Sequence, residues 1–265
     1  MKKILVFGGT RFFGKALVHR LLQKGYEVTI ATRGQVKDDF GTAVKRVIVD
    51  RENKESLASA IGNQQFDVVV DNICYSPDDA EIAIEVLTGK VGKYVVTSSM
   101  AVYEHEGVLV EADLNPYEYP VKEGSRHDFS YGEGKRLAEA VFFQEANFPV
   151  VAVRFPVVLG KDDYSKRLHF YCERIIQDGK LSFVLDLEAA RFLEWCCETD
   201  YKGPINACSN GVISVAEIID YIEEISGEKA VVSETGEDAP YNWVTGYIVS
   251  NNRASELGFA FENLK

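Results

Sequence analysis

The segment Ile4-Leu-Val-Phe-Gly-Gly-Thr-Arg-Phe-Phe-Gly14 constrains the fold more tightly than any other part of the chain. Its first four residues, Ile4 to Phe7, are apolar without alternation and read as a strand buried on both faces. Gly8, Gly9 and Gly14 then bracket a tight turn. From Lys15 to Lys24, Leu17, Val18, Leu21 and Leu22 recur at helical spacing, and Gly25 closes the helix. A helix that begins where a strand ends aims its unpaired N–H groups and the positive end of its dipole at the turn between them. Such a turn seats a pyrophosphate, and glycines let the backbone approach it closely.

The next segments repeat the alternation. Tyr26 to Thr32 is a second strand, so the first unit is strand, helix, strand. Val44–Asp50, Phe66–Ile73, Lys93–Ser99 and Pro149–Pro156 read as further strands. Asn53 can cap a helix to Ile61, and Ser76 with Asp79 opens one to Leu87. Met100 to about Ser130 is polar and without period, and reads as loop; Tyr131 to Ala146 reads as a helix. Beyond Lys161 the pattern predicts a helix over 165–177, a short strand near 182–184, a helix over 185–198 and a strand over 204–209. Ser214 and Glu217 form a capping box for a helix to Ser226 closed by Gly227, and 229–234 is a last strand. The remainder, with Tyr241, Trp243 and Tyr247, reads as packed but irregular. The fold class is α/β, a Rossmann-type doubly wound parallel sheet with a small C-terminal substrate lobe. Residues 1–160 form the dinucleotide-binding core, completed by about 183–210, and residues 161–182 and 211–265 form the lobe.

Charge narrows the partners. Asp and Glu number 41 against 29 Lys and Arg, a formal net charge of −12, which speaks against a generic binder of nucleic-acid backbones. No run approaches the ~18 apolar residues of a membrane helix. Met1-Lys-Lys leads into a core strand without a cleavage-type region, so the expected location is cytoplasmic and no membrane partner is expected. Cys74, Cys172, Cys196, Cys197 and Cys208 lie in apolar runs without a Cys-x-x-Cys pair; they read as buried free thiols, and no metal is implied.

Tyr131-Gly-Glu-Gly-Lys135 sets a phenol and an ammonium one helical turn apart on one face. With 13 tyrosines in the chain, one such spacing arises by chance, so position decides its meaning. The pair opens the helix that follows the long loop after Ser98 and Ser99, where phenol, ammonium and hydroxyls can converge beside the glycine turn. Gly8-Gly-Thr-x-Phe-Phe-Gly14, Ser98-Ser-Met-Ala-Val-Tyr103, Tyr131-x-x-x-Lys135-Arg-x-x-Glu139 and Val153-Arg-Phe-Pro-x-x-x-Gly160 come in the order and spacing of extended short-chain dehydrogenases. The chain therefore resembles the NAD-dependent epimerase/dehydratase family. Val184-Leu-Asp-Leu-Glu-Ala-Ala190 and Gly203-Pro-Ile-Asn-Ala207 look like that family's later segments.

The resemblance implies roles residue by residue. Ser99 matches the serine that holds the substrate oxygen, Tyr131 the acid/base and Lys135 its partner, since hydride transfer at a carbonyl requires a proton donor at the oxygen. A strand-end cap is the alternative for Ser99. Gly8, Thr10, Arg11, Phe12, Phe13 and Gly14 match the cofactor turn, with Phe12 and Phe13 offering backbone N–H groups. Arg11 stands where the family has its middle glycine; a surface arginine is the alternative. Asp50 matches a position near the adenine, Pro156 and Val157 line the nicotinamide side, and Tyr131 and Lys135 also bind the cofactor. NAD-selective members end the second strand with an acidic residue; here Thr32 takes that place, followed by Arg33. NADP is thus favoured over NAD, with Arg33, joined by Arg11, pairing with the 2′-phosphate; a solvated loop arginine is the alternative.

Lys161, Lys166, Arg167 and Arg174 follow the sixth strand, where they are either substrate cations or an ordinary charged face. The implied activity is that of an NAD(P)-dependent oxidoreductase or epimerase acting at a carbonyl or secondary alcohol of a small molecule, a sugar derivative among the candidates. In this family the helices equivalent to 78–87 and 131–146 pair across a two-fold axis, and their surplus of apolar residues, Phe142 and Phe143 included, implies a homodimer. The alternative is a non-catalytic NADP-binding regulatory or RNA-binding protein, because Gly-Gly-Thr-Arg-Phe also resembles the chloroplast stem-loop-binding branch. The charge balance disfavours nucleic acid.

Overall fold

Strands β1 (Lys3–Phe7), β2 (Glu27–Thr32), β3 (Lys45–Ile48), β4 (Val68–Asp71), β5 (Tyr94–Ser99), β7 (Val150–Phe155) and β11 (Gly203–Asn206) form one sheet in the order β3-β2-β1-β4-β5-β7-β11. Every pairing in it is parallel. The fold is seen in a computed structural model that describes residues 1–164, 180–227 and 246–264. Parallel strands covered on both faces need apolar residues pointing both ways, and the runs at β1 and β4 supply them: Ile4, Leu5, Val6, Val69 and Val70 are fully buried. From β1 the chain winds outward through β2 and β3, then returns to β4 beside β1. That reversal opens a crevice at the carboxyl ends of β1 and β4.

Helices α1 (Phe12–Gln23) and α5 (Asp186–Cys196) cover one face, where Leu17, Val18 and Leu21 join Phe192, Leu193 and Cys196 in one cluster. On the other face lie α2 (Lys54–Ile61), α3 (Pro77–Leu87) and α4 (Tyr131–Glu145), burying Leu57, Ala83, Leu87, Ala138, Val141 and Phe142. The helix starts follow the caps predicted at Asn53 and Ser76, and Ser130 supplies one that was not predicted. Asn53 Oδ1 accepts from the Ser56 N–H at 2.7 Å, Ser76 Oγ from Asp79 at 3.2 Å, and Ser130 Oγ from Glu133 at 3.3 Å. Before α6 (Val215–Ser226), Ser214 and Glu217 bond reciprocally at 3.1 and 2.8 Å, and Gly227 ends the helix at φ 71°.

Three expectations need correction. Helix α1 starts at Phe12, because three more residues of the turn enter the helix. The stretch from 100 to 130 is not all loop: β6 (Gly107–Leu109) leaves it to join a second sheet of order β12-β9-β13-β6, with β9 (Lys180–Leu181), β12 (Ile213–Ser214) and β13 (Tyr247–Val249). A further parallel pair joins β8 (Val157–Leu159) to β10 (Phe183–Leu185). The segment after 246 is regular in part, containing β13 and α7 (Asn252–Glu256), and it returns to the large sheet. There Phe259 and Phe261 pack on Phe192 with ring centroids 4.7 and 5.4 Å away. The helix predicted over 165–177, the strand over 229–234, Tyr241, Trp243 and Cys172 lie outside the described residues. Cys74, Cys196, Cys197 and Cys208 are buried free thiols. Among the described residues, no helix is long and apolar enough to cross a membrane.

The apolar surplus of α4 is absorbed inside the chain: Phe142 packs on Tyr94 at 4.8 Å and Phe143 on Tyr117 at 5.0 Å. Gln144 Nε2 fastens the covering segment by donating to the carbonyls of Pro116 and Tyr119 at 2.9 and 2.8 Å.

One polar group sits in the deepest part of the core. Arg154 on β7 is fully buried and uses all five donors: Nε and Nη2 reach the Glu139 carboxylate at 3.0 and 2.6 Å, Nη1 reaches Tyr103 Oη and the Glu111 carbonyl, and Nη2 also reaches the Leu114 carbonyl. Burial works against its charge, but Glu139 outweighs that and raises the guanidinium pKa above its ordinary value. Arg154→Met should strand a buried carboxylate and destabilise the fold by about 3–5 kcal/mol in urea unfolding; a loss below about 1 kcal/mol would show that the pair is not enclosed as described.

Candidate functional site

The crevice at the switch point is a cleft of about 760 Å³. Its floor is the glycine turn. Gly8 has φ 72°, and a Cβ there would lie 2.8 Å from Ile73 Cγ2. At Gly14 a Cβ would lie 2.1 Å from the Gly8 carbonyl oxygen, so the start of α1 closes onto the end of β1 only because residue 14 has no side chain. Arg11 occupies extended backbone at φ −135°, ψ 154°, which any residue adopts. Beside Gly8, the second left-handed position in this turn is Phe12, at φ 49° with its side chain buried.

All the catalytic and cofactor-binding candidates line this cleft, whereas Lys161 is exposed outside its lining and Lys166 lies outside the described residues. Gly8, Thr10, Arg11, Phe12, Phe13 and Gly14 form the turn. Thr32 and Arg33 end β2, and Asp50 follows β3, at one end of the cleft. Ser99, Tyr131, Lys135, Pro156 and Val157 stand toward the other. Arg33 and Asp50 are exposed, and Thr32 Oγ1 accepts the Gly34 N–H at 3.1 Å. Arg167 and Arg174 lie outside the described residues.

Tyr131 and Lys135 differ sharply in exposure. Tyr131, at the first turn of α4, is 54% exposed on the cleft, whereas Lys135 is 3% exposed. Lys135 Nζ donates to the carbonyls of Cys74 and Thr97 at 2.6 and 2.8 Å, and lies 4.6 Å from the Tyr75 ring centroid and 5.8 Å from that of Tyr131. The two glycines between them explain this placement. A Cβ at Gly132 would lie 2.4 Å from the Ala101 carbonyl, and one at Gly134 the same distance from the Tyr75 carbonyl. Residues that are poor helix formers therefore let α4 press against the ends of β4 and β5. Ser99 Oγ accepts from the Ala101 N–H at 3.2 Å, so it caps the short turn Met100–Val102 and also faces the cleft.

Several cleft residues carried no sequence signal. Asn72 follows β4; its Oδ1 accepts the Thr97 hydroxyl at 2.8 Å, while its buried Nδ2 has no partner. That nitrogen lies 3.2 Å from where a Gly14 side chain would begin. An unpaired buried donor, a glycine cradle and a helix N-terminus together fit a phosphate-bearing dinucleotide. Arg51, next to Asp50, is buried against Asp71 at 2.5 Å and Asp79 at 2.7 Å, and Asp71 also accepts the Tyr94 hydroxyl at 2.7 Å. Burial raises the Tyr94 phenol well above its ordinary value, with Asp71 adding to the shift. Tyr75 packs 6.4 Å from the Tyr131 ring, and burial raises its phenol too. Arg126 and Tyr164 reach the cleft from the loops before α4 and after β8. All of these meet through chain folding, which local spacing does not encode.

Comparison with known proteins agrees with the fold. Residues 4–83 match the model of the NAD dependent epimerase/dehydratase family, a stretch that runs from β1 into α3 and stops before Ser99 and Tyr131. The chloroplast stem-loop binding protein of 41 kDa b of Arabidopsis thaliana is 28% identical over 214 residues, which cover 71% of this chain and 54% of that protein. The chain thus spans about half the length of this curated relative. Among solved structures, UDP-glucose 4-epimerase of Thermotoga maritima with UDP-glucose superposes with a TM-score of 0.76 at 19% identity, over 99% of this chain and 94% of that one. The Bordetella bronchiseptica enzyme WbmG in complex with NAD gives 0.76 at 15% identity, over 100% and 90%.

Proposed function

We propose that this chain, which has the fold of the extended short-chain dehydrogenases and the N-terminal sequence signature of the NAD dependent epimerase/dehydratase family, is an NAD(P)-dependent enzyme acting at a carbonyl or secondary alcohol of a small molecule, with sugar derivatives the first class to test. The observation that carries the reading is Lys135, an ammonium buried beneath an open phenol at the cleft that the glycine turn floors. A dinucleotide would be held by the turn from Gly8 to Gly14 and by Asn72, with Asp50 at the adenine end and Pro156 and Val157 at the nicotinamide end. When bound, it supplies or accepts the hydride. Tyr131 then gives or takes the proton at the substrate oxygen, Ser99 holds that oxygen, and Lys135 keeps a positive charge beside the phenol. A cytoplasmic location and pairing of two copies through α3 and α4 belong to the same proposal.

The second reading, RNA binding, is favoured by the name of the Arabidopsis relative alone. The net charge of −12 and the intact Ser99, Tyr131 and Lys135 set support the enzyme reading over it. A carbonyl-substrate screen followed by NADPH absorbance, run beside a salt-dependent RNA gel shift, separates the two.

Tyr131→Phe should preserve dinucleotide affinity and reduce turnover at least a hundredfold, because it removes the proton donor and keeps the ring. Turnover above about a tenth of the parent rate would end the assignment. Arg33→Ala should weaken NADP binding by roughly ten- to a hundredfold and leave NAD affinity unchanged, as a charge-assisted contact of this kind implies. Equal calorimetric affinities of the parent for NAD and NADP would defeat the preference. Light scattering at micromolar concentration should give twice the 29.6 kDa chain mass; the monomer mass would refute pairing.

A further inference from the structure

Arg11 is an unexpected residue where it stands. It is the N-cap of α1, makes no side-chain capping bond, and puts a cation at the positive end of a helix whose first turn has no acidic residue. Helix stability alone would select against it. Its guanidinium lies 5.2 Å from the centroid of the Tyr164 ring, which comes from the loop after β8. Tyr164 is 63% exposed, so the contact is not part of any core. Both residues line the cleft, and their contact joins the glycine turn to the loop that follows β8. Beside the same turn lies the second sign of a missing anion, the partnerless Nδ2 of Asn72, on a residue only 8% exposed.

We propose that Arg11 and Tyr164 form a clasp over the bound dinucleotide: the ring holds the guanidinium over the pyrophosphate seat, and the contact parts to admit and release the cofactor. Arg11 thereby adds a full charge to a site otherwise made of backbone N–H groups, and Tyr164 acts through Arg11 as a positioning residue. The proposal rests on the reading of the cleft as a dinucleotide site and assigns to Tyr164 a part that its sequence position does not suggest. A cation over an aromatic face is attracted to it within about 6 Å, and the pair remains weak enough to open when exposed. An arginine that would repel the helix end in the free protein becomes favourable once two phosphates lie between them.

The test is a double-mutant cycle on the full chain, with NADPH fluorescence reporting affinity and stopped-flow displacement reporting release. Arg11→Ala and Tyr164→Leu should each raise the dissociation constant and the release rate by about five- to tenfold, and the double variant should match the worse single one, because the two act as a unit. Arg11→Ala should also flatten the salt dependence of affinity, and Tyr164→Phe, which keeps the ring, should lose less than Tyr164→Leu. Parent-like release from both single variants, or effects that multiply in the double variant, would overturn the clasp and leave the dinucleotide reading standing. Failure of the parent to bind NADPH or NADH would remove that reading and the clasp with it. Variants that change affinity for a stem-loop RNA while NADPH affinity stays fixed would place the pair on a nucleic-acid surface, and the clasp would be wrong.

Discussion

The bidentate pair between Arg154 and Glu139 holds the site together. Tyr131, Lys135 and Glu139 are spaced four apart and share one face of α4. Glu139 is the end of that stripe nailed to the sheet: it takes Arg154 of β7 at 2.6 Å and the Ser98 hydroxyl of β5 at 2.5 Å. Arg154 extends the connection to Tyr103, whose hydroxyl donates to Asn206 Oδ1 of β11 at 2.6 Å. Five segments are thus tied at one point one helical turn beyond Lys135. A buried ion pair adds little net stability compared with well-packed apolar residues, since desolvation offsets most of the attraction. Its contribution here is geometric, fixing the axial position of α4 so that the ammonium meets two carbonyl oxygens and the phenol meets the cleft.

Close approach sets the other half of the site. The oxygen of Gly8 stands where a side chain at residue 14 would be, and the carbonyls of Ala101 and Tyr75 stand where side chains at 132 and 134 would be. Both helices that frame the cleft therefore depend on missing side chains at their first turns. The N-terminal ends of α1 and α4 both border it as a result, through Phe12, Phe13 and Gly14 on one and Tyr131 and Lys135 on the other. This arrangement suits an elongated anion on one side and an oxygen acquiring charge on the other.

Much of this was legible in the sequence, because it is written in local signals. The strand runs are continuous and β-branched, the caps at Asn53, Ser76 and Ser214 are side chain to backbone bonds within three residues, and the glycine turn has a fixed spacing. The candidate site residues came from the family resemblance rather than from local signals, and the structure brings them into one cleft. Three features were not legible. Strand β6 is only three residues long and is a strand only because β13 lies beside it. Asn72 and Arg51 matter through partners brought near by the sheet. The packing of Tyr117, supplied by a segment without any period of its own, on Phe143 is the third.

The return of residues 252–261 to the large sheet bears on how the chain is made. Phe259 and Phe261 belong to the same cluster as Ile4, Leu17 and Ile30, so that cluster draws on residues some 250 positions apart. At ribosomal speeds of about 5–20 residues per second, the cluster begun by β1 and α1 waits on the order of tens of seconds for its last aromatic members. During that interval the ring of Phe192 lacks two of its aromatic neighbours, while the opposite layer, closed by residues up to about 152, can already be sealed. The two layers of this one sheet therefore mature at different times, and the later one is the layer that bears the glycine turn.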